Sequence, residues 1–509
     1  MEELNNKKCK VLLINPKTPI LAQEPSRSLA LIAGYLLNEG HIVKGIDCCA
    51  QYYKFNKRKF LKEICNFNPD LVGVAIHTSS VLYAYETIRQ IRKVSNALIV
   101  GGGPHALVRP HEVLKHNVDI VVKAEGEIVI ADIVKAYQSK AKDYSKIKGI
   151  CYLNKDLNIV DTEPADIIHD LDSLPEPAFD IFNLKDYEKP SDLKSMITGR
   201  GCPGRCTFCA NTIHGRIFRF LSAEKVYEEM VNRYKKYGAT HTSFLDDSFT
   251  ANPERVRKLC NLIITNKDKY NFTFGCVTRA NIVNEELLTL MKKAGCNSIN
   301  YGIEGADDET LRKCKKGITI EQAVRALKMT KAVGITAQAN FILGFPWQSA
   351  KDIKNMLKFM KYVSQWADFI QIGSVLIPYP GTEIYEEYHE KYGFTDWWLK
   401  NKYLELLKKP RFMEIGIKYY NQHRILKLDY FKYPKETKKE ILKAIKWTAK
   451  YSASHMTKYY RFQLYVLYYL SRFFYLINPS LEQEATRMIR QFYFKILGFK
   501  KSTGKLNRR

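Results

Sequence analysis

Short apolar runs alternate with amphipathic stretches along the first 137 residues of the chain. Residues 10–15, KVLLIN, have the pattern of a buried strand, and residues 28–38 carry apolar side chains at helical spacing before Gly40. Four further strands are predicted at residues 42–46, 71–76, 97–100 and 118–122. Strands that alternate with helices favour parallel βαβ units. The pattern therefore predicts an α/β fold that begins with a Rossmann-like, doubly wound parallel sheet.

A segment without a strong period, residues 141–190, separates this region from a second alternating one. It contains Leu174-Pro175-Glu176-Pro177-Ala178, and its two prolines are incompatible with helix and sheet interiors. We therefore predict a linker between a first domain, residues 1–140, and a second domain, residues 191–400.

The second alternating region predicts six parallel strands. They are placed at residues 195–198, 242–246, 273–277, 298–303, 337–343 and 369–376. Six βα units are fewer than the eight of a closed barrel, so we expect an open, partial (β/α)6 barrel. Residues 401–509 are helical, aromatic and basic by pattern, and we expect them to form a helical C-terminal region.

Ligands of doubly wound sheets bind at the carboxyl ends of the strands. In the first domain three of these ends read Asn15-Pro16-Lys17-Thr18-Pro19, His77-Thr78-Ser79-Ser80 and Gly101-Gly102-Gly103-Pro104-His105. A glycine run lets the backbone approach a bulky ligand closely, and a flexible strand-to-helix turn is the alternative interpretation. The candidate cofactor-binding residues of this domain are Ser79, Gly101, Gly102 and Gly103.

Composition and charge narrow the class of protein. The 509 residues are 46% hydrophobic, which is typical of a globular chain rather than a disordered one. Eighty Lys and Arg against 53 Asp and Glu leave a net charge of +27, which favours anionic partners. Residues 1–10 have no apolar core of a secretory signal, so we expect a cytoplasmic protein with reduced thiols.

Three of the twelve cysteines crowd into one loop after a short strand. Gly201-Cys202-Pro203-Gly204-Arg205-Cys206-Thr207-Phe208-Cys209 has the spacing C-x₃-C-x₂-C. Three thiolates can bind three irons of a [4Fe–4S] cluster and leave the fourth iron open for chemistry. The alternatives are a structural zinc site with His214 as the fourth ligand and a chance group of core thiols.

The cysteine loop, with Phe208 just before its last cysteine, resembles the signature of radical S-adenosylmethionine (SAM) enzymes. The resemblance implies a [4Fe–4S] cluster on Cys202, Cys206 and Cys209, whose open iron is chelated by the amino and carboxylate groups of SAM. It also implies that one electron, from an external reductant of flavodoxin or ferredoxin type, cleaves SAM. The resulting 5′-deoxyadenosyl radical abstracts hydrogen from substrate in an oxygen-sensitive reaction, and Phe208 lies near the adenine.

Later segments continue the resemblance and suggest a SAM site. Asp246 and Asp247, in Phe244-Leu245-Asp246-Asp247-Ser248-Phe249, would meet the amino group of SAM, and capping of the next helix by Asp247 or Ser248 is the alternative. Arg279 is the candidate for the SAM carboxylate, with a surface arginine as the alternative. Glu304 would bond the ribose hydroxyls. Segments 341–346 and 378–382 resemble the fifth-strand and sixth-strand motifs.

Residues 9–137 resemble the cobalamin (vitamin B12)-binding domain of one branch of this family. The likeness rests on the loops 101–106 and 125–127 and on the linker. The chain has no D-x-H-x-x-G, the motif whose histidine ligates cobalt, so cobalamin is expected to lack a ligand from it. His77 and His105 lie at other strand ends, and the resemblance assigns neither of them to cobalt. A vestigial scaffold without cofactor is the alternative.

The C-terminal region is strongly basic. Residues 411–509 hold 22 Lys and Arg against 6 Asp and Glu. Arg461 and Arg472 leave ten uncharged residues between them, too few to span a bilayer. Residues 438–477 are a candidate for peripheral contact with the inner face of the membrane. A helical subdomain packed on the barrel and RNA binding are the alternatives, and no β-rich RNA-binding pattern supports the latter.

Taken together, the motifs predict a monomeric, cobalamin-domain radical SAM methyltransferase. We expect it to methylate an unactivated carbon of a small-molecule, lipid-like substrate. Alternative functions are radical cyclisation, oxidation or carbon–carbon coupling without methyl transfer, and RNA modification. A binding protein with a purely structural cluster is the non-enzymatic alternative. No residue is assigned to the catalytic step itself.

Overall fold

The computed structural model describes residues 8–17, 22–50, 53, 55–187, 193–210, 217–400 and 425–454. The strands are β1 Lys10–Asn15, β2 Ile42–Asp47, β3 Leu71–Ala75, β4 Leu98–Gly102, β5 Ile120–Val122, β6 Ile150–Leu153, β7 Ile159–Asp161, β8 Ser195–Met196, β9 Gly199–Arg200, β10 Arg219–Phe220, β11 His241–Phe244, β12 Thr273–Thr278, β13 Cys296–Glu304, β14 Thr336–Leu343 and β15 Phe369–Val375. The helices are α1 Arg27–Asn38, α2 Lys57–Phe67, α3 Val81–Arg92, α4 Pro104–Val108, α5 Pro110–Leu114, α6 Gly126–Gln138, α7 Ala223–Tyr237, α8 Pro253–Thr265, α9 Glu285–Lys293, α10 Asp308–Lys313, α11 Ile320–Ala332, α12 Ala350–Val363, α13 Glu383–Tyr392 and α14 Lys435–Ser454.

The first seven strands form one sheet in the order β2-β1-β3-β4-β5-β6-β7, and β1 to β5 are parallel. Strand β1 is buried on both faces, because Leu12 and Ile14 enter one hydrophobic core while Val11 and Leu13 enter the other. Burial on both faces explains why this strand is a continuous apolar run. The predicted doubly wound sheet is confirmed, and its topological switch point lies between β1 and β3.

This sheet extends further along the chain than the apolar pattern predicts. Strands β6 and β7 form an antiparallel hairpin at the edge beside β5, inside the segment interpreted as a linker. The pattern missed the hairpin because both strands are short and β7 is mostly exposed. Residues 150–161 are therefore part of the first sheet. The following segment crosses α1, where the Ala178 amide donates to the Ala30 carbonyl at 2.8 Å.

Six strands of the second region form a parallel sheet in the order β15-β14-β13-β12-β11-β8. Its two edge strands, β8 and β15, do not pair with each other among the described residues, so the open, partial barrel is confirmed. Strands β9 and β10 form a separate antiparallel ladder. The chain between them carries the three clustered cysteines, so this ladder closes the base of the cysteine loop.

Helix α14 is the described part of the basic C-terminal region, and it packs against α12 and β15. Ile441, Ala444 and Ile445 are buried, and the Tyr451 hydroxyl donates to the Ala367 carbonyl at 2.7 Å. From 435 to 454 the region therefore matches the alternative of a helical subdomain on the barrel. Residues 455–477 lie outside the described residues. Within the described ranges, none of the helices has both the length and the apolarity that a bilayer crossing requires.

The strand-end glycines generate a stability prediction. Gly103 has φ 111° and ψ 178°, a conformation essentially restricted to glycine, and a Cβ there would lie 2.9 Å from the Ile76 carbonyl oxygen. We expect Gly103→Ala to destabilise the apo-protein by about 1–3 kcal/mol, measured as a lower Tm in thermal unfolding. Gly102→Ala is the matched control, because its Cβ would meet only Val122, at 4.0 Å. Equal destabilisation by both substitutions would contradict this account.

Candidate functional site

The cysteine loop turns tightly through glycines. Cys206 is buried, while Cys202 and Cys209 are partly exposed. Gly201 has φ 80°, and a Cβ there would collide with the carbonyl oxygen of Ile217. The backbone amide of Gly204 points at the sulfur of Cys202, with nitrogen and sulfur 3.4 Å apart. The loop therefore presents three thiols and one directed N–H, a donor set that fits an iron–sulfur cluster. His214, the proposed fourth zinc ligand, lies outside the described residues.

Arg279, which follows β12, lies against the cysteine loop. Its Nη1 is 4.0 Å from Cys206 Sγ, and its Nη2 donates to the carbonyl oxygen of Lys316. Gly204 makes room for this contact, because a Cβ there would lie 2.6 Å from Nη1. Arg279 is thus a buried cation facing the loop rather than a surface arginine. A guanidinium here suits either an anionic cluster or a carboxylate placed beside it.

Glu304, at the end of β13, forms a buried ion pair with Lys316. The two charged atoms, Oε1 and Nζ, are 3.2 Å apart, and the side chains are 12% and 9% exposed. Glu304 has φ 70° at a shift in the β13–β14 register, and Gly302 leaves space for its carboxylate. Burial alone would lower the pKa of Lys316, but the charges of Glu304 and Cys206 raise that pKa above its ordinary value. Lys316 is therefore a fixed cation.

Sequence reasoning missed Lys316. It follows α10 in the segment Cys314-Lys315-Lys316-Gly317, which matches no motif and looks like a solvated basic turn. Only the fold brings its ammonium to Glu304 and its carbonyl to Arg279. The same turn also holds the cysteine loop, because the Thr207 amide donates to the Cys314 carbonyl at 3.0 Å.

The structure gives Asp246 different neighbours from those expected of a SAM-binding carboxylate. Its side chain is buried and accepts hydrogen bonds from the Thr198 amide and hydroxyl, the latter at 2.5 Å. Arg255 Nη2 lies 3.4 Å from the same carboxylate. Asp246 therefore ties the end of β11 to the chain just before β9. Asp247 is exposed beside it, and Asn252 rather than Asp247 or Ser248 caps helix α8.

Aromatic side chains assemble next to the cysteine loop. The ring of Phe208 lies 5.8 Å from that of Phe345 in an edge-on arrangement, and Phe345 stacks on Trp347 at 5.0 Å. Two buried donors here, Trp347 Nε1 and Gln348 Nε2, have no hydrogen-bond partner among the described residues. Buried donors without partners are costly, and a nitrogen-rich heterocycle such as adenine would satisfy them. Phe208, which is predicted to lie near adenine, and the fifth-strand segment 341–346 thus come together, and their surroundings fit the adenine of SAM.

Two carboxylates of the first domain neutralise the base of the cysteine loop. Arg200 and Arg219 are directly opposite each other in the β9–β10 ladder, where two cations would repel. Glu125 accepts from both, at 2.9 Å and 2.8 Å, and Glu127 accepts from Arg200 at 2.6 Å. Burial alone would raise the pKa of Glu125, but the Arg219 hydrogen bond and the Arg200 charge lower it to about 2. Glu125 is therefore ionised across the physiological range.

A second polar contact joins the strand ends of the first sheet to the segment after the barrel. Buried His105 faces Thr78 Oγ1 through Nδ1, at 3.1 Å, and Glu112 Oε1 through Nε2, at 3.2 Å. The indole N–H of Trp398 donates to the other oxygen of Glu112, at 3.0 Å. The carboxyl edge of the first sheet therefore faces the barrel at two places, through Glu112 and through Glu125.

The three glycines at the carboxyl end of β4 have different environments. Gly101 is a packing glycine, because a Cβ there would lie 3.0 Å from Ile76 and 3.2 Å from Val113. Gly103 is required by its backbone conformation. Gly102 is the least crowded of the three, because a Cβ added to it would meet only the Cβ of Val122, at 4.0 Å. Gly102 and Ser79, in the partly exposed turn Thr78–Ser80, lie at the carboxyl ends of the neighbouring strands β4 and β3, the edge where doubly wound sheets bind their ligands.

Comparison with known families gives one match in each of the two domains. The family model described as the radical SAM superfamily matches residues 196–360. The model described as the B12 binding domain matches residues 19–134. The predicted cofactor set of [4Fe–4S] cluster, SAM and cobalamin is confirmed by these two matches.

Individual relatives point to the same class. The chain is 31% identical over 388 residues to a Pyrococcus horikoshii protein named uncharacterized methyltransferase PH0819, covering 74% of this chain and 82% of that one. It is 24% identical to the hopanoid C-3 methylase of Methylococcus capsulatus, over 74% and 71% of the two chains. The solved TsrM methyltransferase of Kitasatospora setae matches with a TM-score of 0.65 and 20% identity, over 76% and 77%.

The fold and the sequence likeness therefore define a radical SAM enzyme. The chain belongs to the branch of that superfamily that carries an N-terminal B12-binding domain and is of the methyltransferase type.

The ion pairs of Glu125 generate an acid-stability prediction. We expect Glu125→Gln to destabilise the apo-protein by on the order of 2 kcal/mol at neutral pH, seen as a lower Tm. The wild-type pKa is depressed, so its contribution is complete above the ordinary value of 4.5 and is lost as the pH falls toward about 2. The Tm difference should therefore shrink below pH 4.5. Glu286→Gln, at an exposed pair, is the control, and an equal Tm loss there would contradict the account.

Lys316 generates a prediction for SAM binding. We expect Lys316→Met to weaken SAM binding at least tenfold and to lower the reduction potential of the cluster, because an uncompensated Glu304 would face both. Calorimetry and an anaerobic redox titration measure the two effects. Lys315→Met is the matched control, since that neighbouring side chain is 52% exposed and pairs with Glu383. Wild-type affinity and potential in Lys316→Met would contradict the assignment.

Proposed function

We propose that this enzyme methylates an unactivated carbon of a small-molecule, lipid-like substrate. When bound, the cluster and SAM supply the 5′-deoxyadenosyl radical, and methylcobalamin supplies the methyl group. In the net reaction the substrate carbon loses one hydrogen to 5′-deoxyadenosine and gains a methyl group. One SAM ends as methionine and 5′-deoxyadenosine, a second ends as S-adenosylhomocysteine, and an external flavodoxin- or ferredoxin-type reductant supplies two electrons.

The contact between the two carboxyl edges carries this proposal. Ligands bind at the carboxyl ends of strands in both kinds of α/β domain. Glu125, which follows β5, contacts the base of the cysteine loop, and Glu112 contacts Trp398 beyond the barrel. These contacts support a chamber with the cluster and SAM on one wall and cobalamin on the other. Methyl transfer to a substrate radical needs that juxtaposition.

The candidate residues of the cluster and SAM site have separate roles in this proposal. Cys202, Cys206 and Cys209 hold the cluster, and Arg279 neutralises the carboxylate of SAM. Glu304, paired with and oriented by Lys316, accepts from the ribose hydroxyls. Phe208 packs against the adenine together with Phe345. Asp246 acts as a positioning residue through Thr198, while exposed Asp247 remains the acidic partner proposed for the SAM amino group.

Product mass tests methyl transfer directly. The anaerobically reconstituted enzyme is incubated with reductant, cobalamin, a lipid extract from the source cells and SAM whose methyl group carries deuterium. We expect a product heavier by one labelled methyl group in place of hydrogen, together with 5′-deoxyadenosine and S-adenosylhomocysteine. Cys206→Ala, which lacks one cluster ligand, should form none of the three. Turnover in that variant would contradict the radical mechanism.

Radical cyclisation or oxidation without methyl transfer is the second candidate. It is favoured by the likeness to the anaerobic magnesium-protoporphyrin IX monomethyl ester cyclase of Cereibacter sphaeroides, 27% identical over 77% of this chain and 64% of that one. This reaction would yield 5′-deoxyadenosine and a product without the methyl label. The same labelled assay therefore separates the two functions.

A basic face on α14 supports peripheral contact with an anionic membrane. Lys439, Lys443, Lys446 and Lys450 are exposed, on the side away from the buried Ile441 and Ala444. We expect sedimentation with vesicles containing phosphatidylglycerol that falls as salt rises, at about 1 kcal/mol per lysine. The quadruple Lys→Gln variant should stay in solution. Retained sedimentation of that variant, or a preference for RNA over vesicles, would contradict membrane contact through α14.

A further inference from the structure

Two imidazoles lie a few residues beyond the carboxyl ends of strands of the first sheet. They are His77 after β3 and His105 after β4, and the chain lacks the motif that usually provides a histidine to cobalt. His105 is unsuited to a ligand, because it is fully buried and its two ring nitrogens face Thr78 and Glu112. His105 instead connects Thr78, in the turn after β3, with Glu112 on α5. His77 is the remaining imidazole of this pair.

His77 stands beside the topological switch point, where doubly wound sheets bind their ligands. It follows β3, which is next to β1 in the sheet order. Its side chain is exposed to solvent, and no residue of the described ranges hydrogen-bonds its ring. The nearby imidazole on α5, His111, is instead paired with Asp161. The ring of His77 is therefore accessible to solvent, and hydrogen bonds from the described residues do not occupy its nitrogen atoms.

The backbone before His77 is held rigidly by the glycine loop. The Ile76 amide donates to the Gly102 carbonyl at 2.7 Å, and the Ile76 carbonyl accepts from the His105 amide at 3.2 Å. Gly103 packs directly on the Ile76 carbonyl, where no side chain fits. The His77 carbonyl in turn accepts from the Ser80 amide at 3.0 Å. These contacts fix the backbone on both sides of the His77 side chain, next to the point where Ile76 bonds to Gly102.

The surroundings of His77 also favour the neutral form of its imidazole. Partial desolvation by the neighbouring protein lowers the pKa of His77, and the charge of His105 lowers it further. A neutral imidazole has the free lone pair that a metal ion requires.

We propose that His77 is an axial nitrogen ligand of the cobalt when the first domain holds cobalamin. The proposal rests on the cobalamin-dependent function proposed above. It makes His77 a replacement for the histidine of the missing motif. If His77 holds the face of the cobalt that the dimethylbenzimidazole base of the cofactor would otherwise bind, that base could not ligate the cobalt.

Electron paramagnetic resonance of the reduced cofactor tests the proposal without turnover. Full-length protein, produced with ¹⁵N-labelled histidine, is reconstituted anaerobically with the cluster and with cobalamin, and the cobalt is reduced to the paramagnetic cob(II) state. Bound cobalamin is counted separately by absorbance. A ¹⁵N ligand splits each resolved cobalt line into two, whereas the unlabelled base of the cofactor would split it into three.

We expect doublets in the labelled wild type and triplets in unlabelled protein. His77→Ala should lose the doublets while it still binds cobalamin, and His111→Ala, at the paired imidazole, should keep them. Triplets or unsplit lines in labelled protein with stoichiometric cobalamin would overturn the His77 assignment alone. Absence of any bound cobalamin would overturn both this assignment and the methyl-transfer function. Persistent doublets in His77→Ala would also overturn the assignment.

Discussion

The ion pairs that Glu125 makes with Arg200 and Arg219 connect the two halves of this enzyme. The two arginines close the base of the cysteine loop from opposite strands of a two-residue ladder, and their like charges would otherwise push that ladder apart. The neutralising carboxylate belongs to the other domain. The geometry of the cysteine loop therefore depends on the docking of the B12-binding domain.

Inside the barrel, buried charges define where a charged nucleotide can lie. Arg279 and Lys316 approach Cys206, and Glu304 is held by Lys316 at a strained strand end. Such groups are costly to bury, and they are kept in place here by tight glycine contacts and mutual pairing. The arrangement offers fixed cations beside the cluster loop and a fixed anion further along the strand ends. SAM, with its carboxylate and its ribose hydroxyls, has matching groups.

Sequence patterns could predict those features that are encoded locally. The run KVLLIN and the cysteine spacing each lie within a few consecutive residues, so the sheet and the cluster site could be predicted from sequence. Sequence patterns could not predict the roles of Lys316 and Asp246, because the role of each depends on contacts that only the fold creates. The partner of Glu125, Arg219, lies 94 residues away, and no local pattern identifies it. The hairpin β6–β7 was not predicted, because its strands are too short to show a period.

The central claim is that the cluster and cobalamin occupy one chamber between the two carboxyl edges. The most direct measurement is the magnetic interaction between the two centres, with the cluster reduced and the cobalt in its cob(II) state in the same molecule. The account predicts that each paramagnetic centre broadens and speeds the relaxation of the other. Two unperturbed signals, each identical to that of protein holding only one centre, would contradict it.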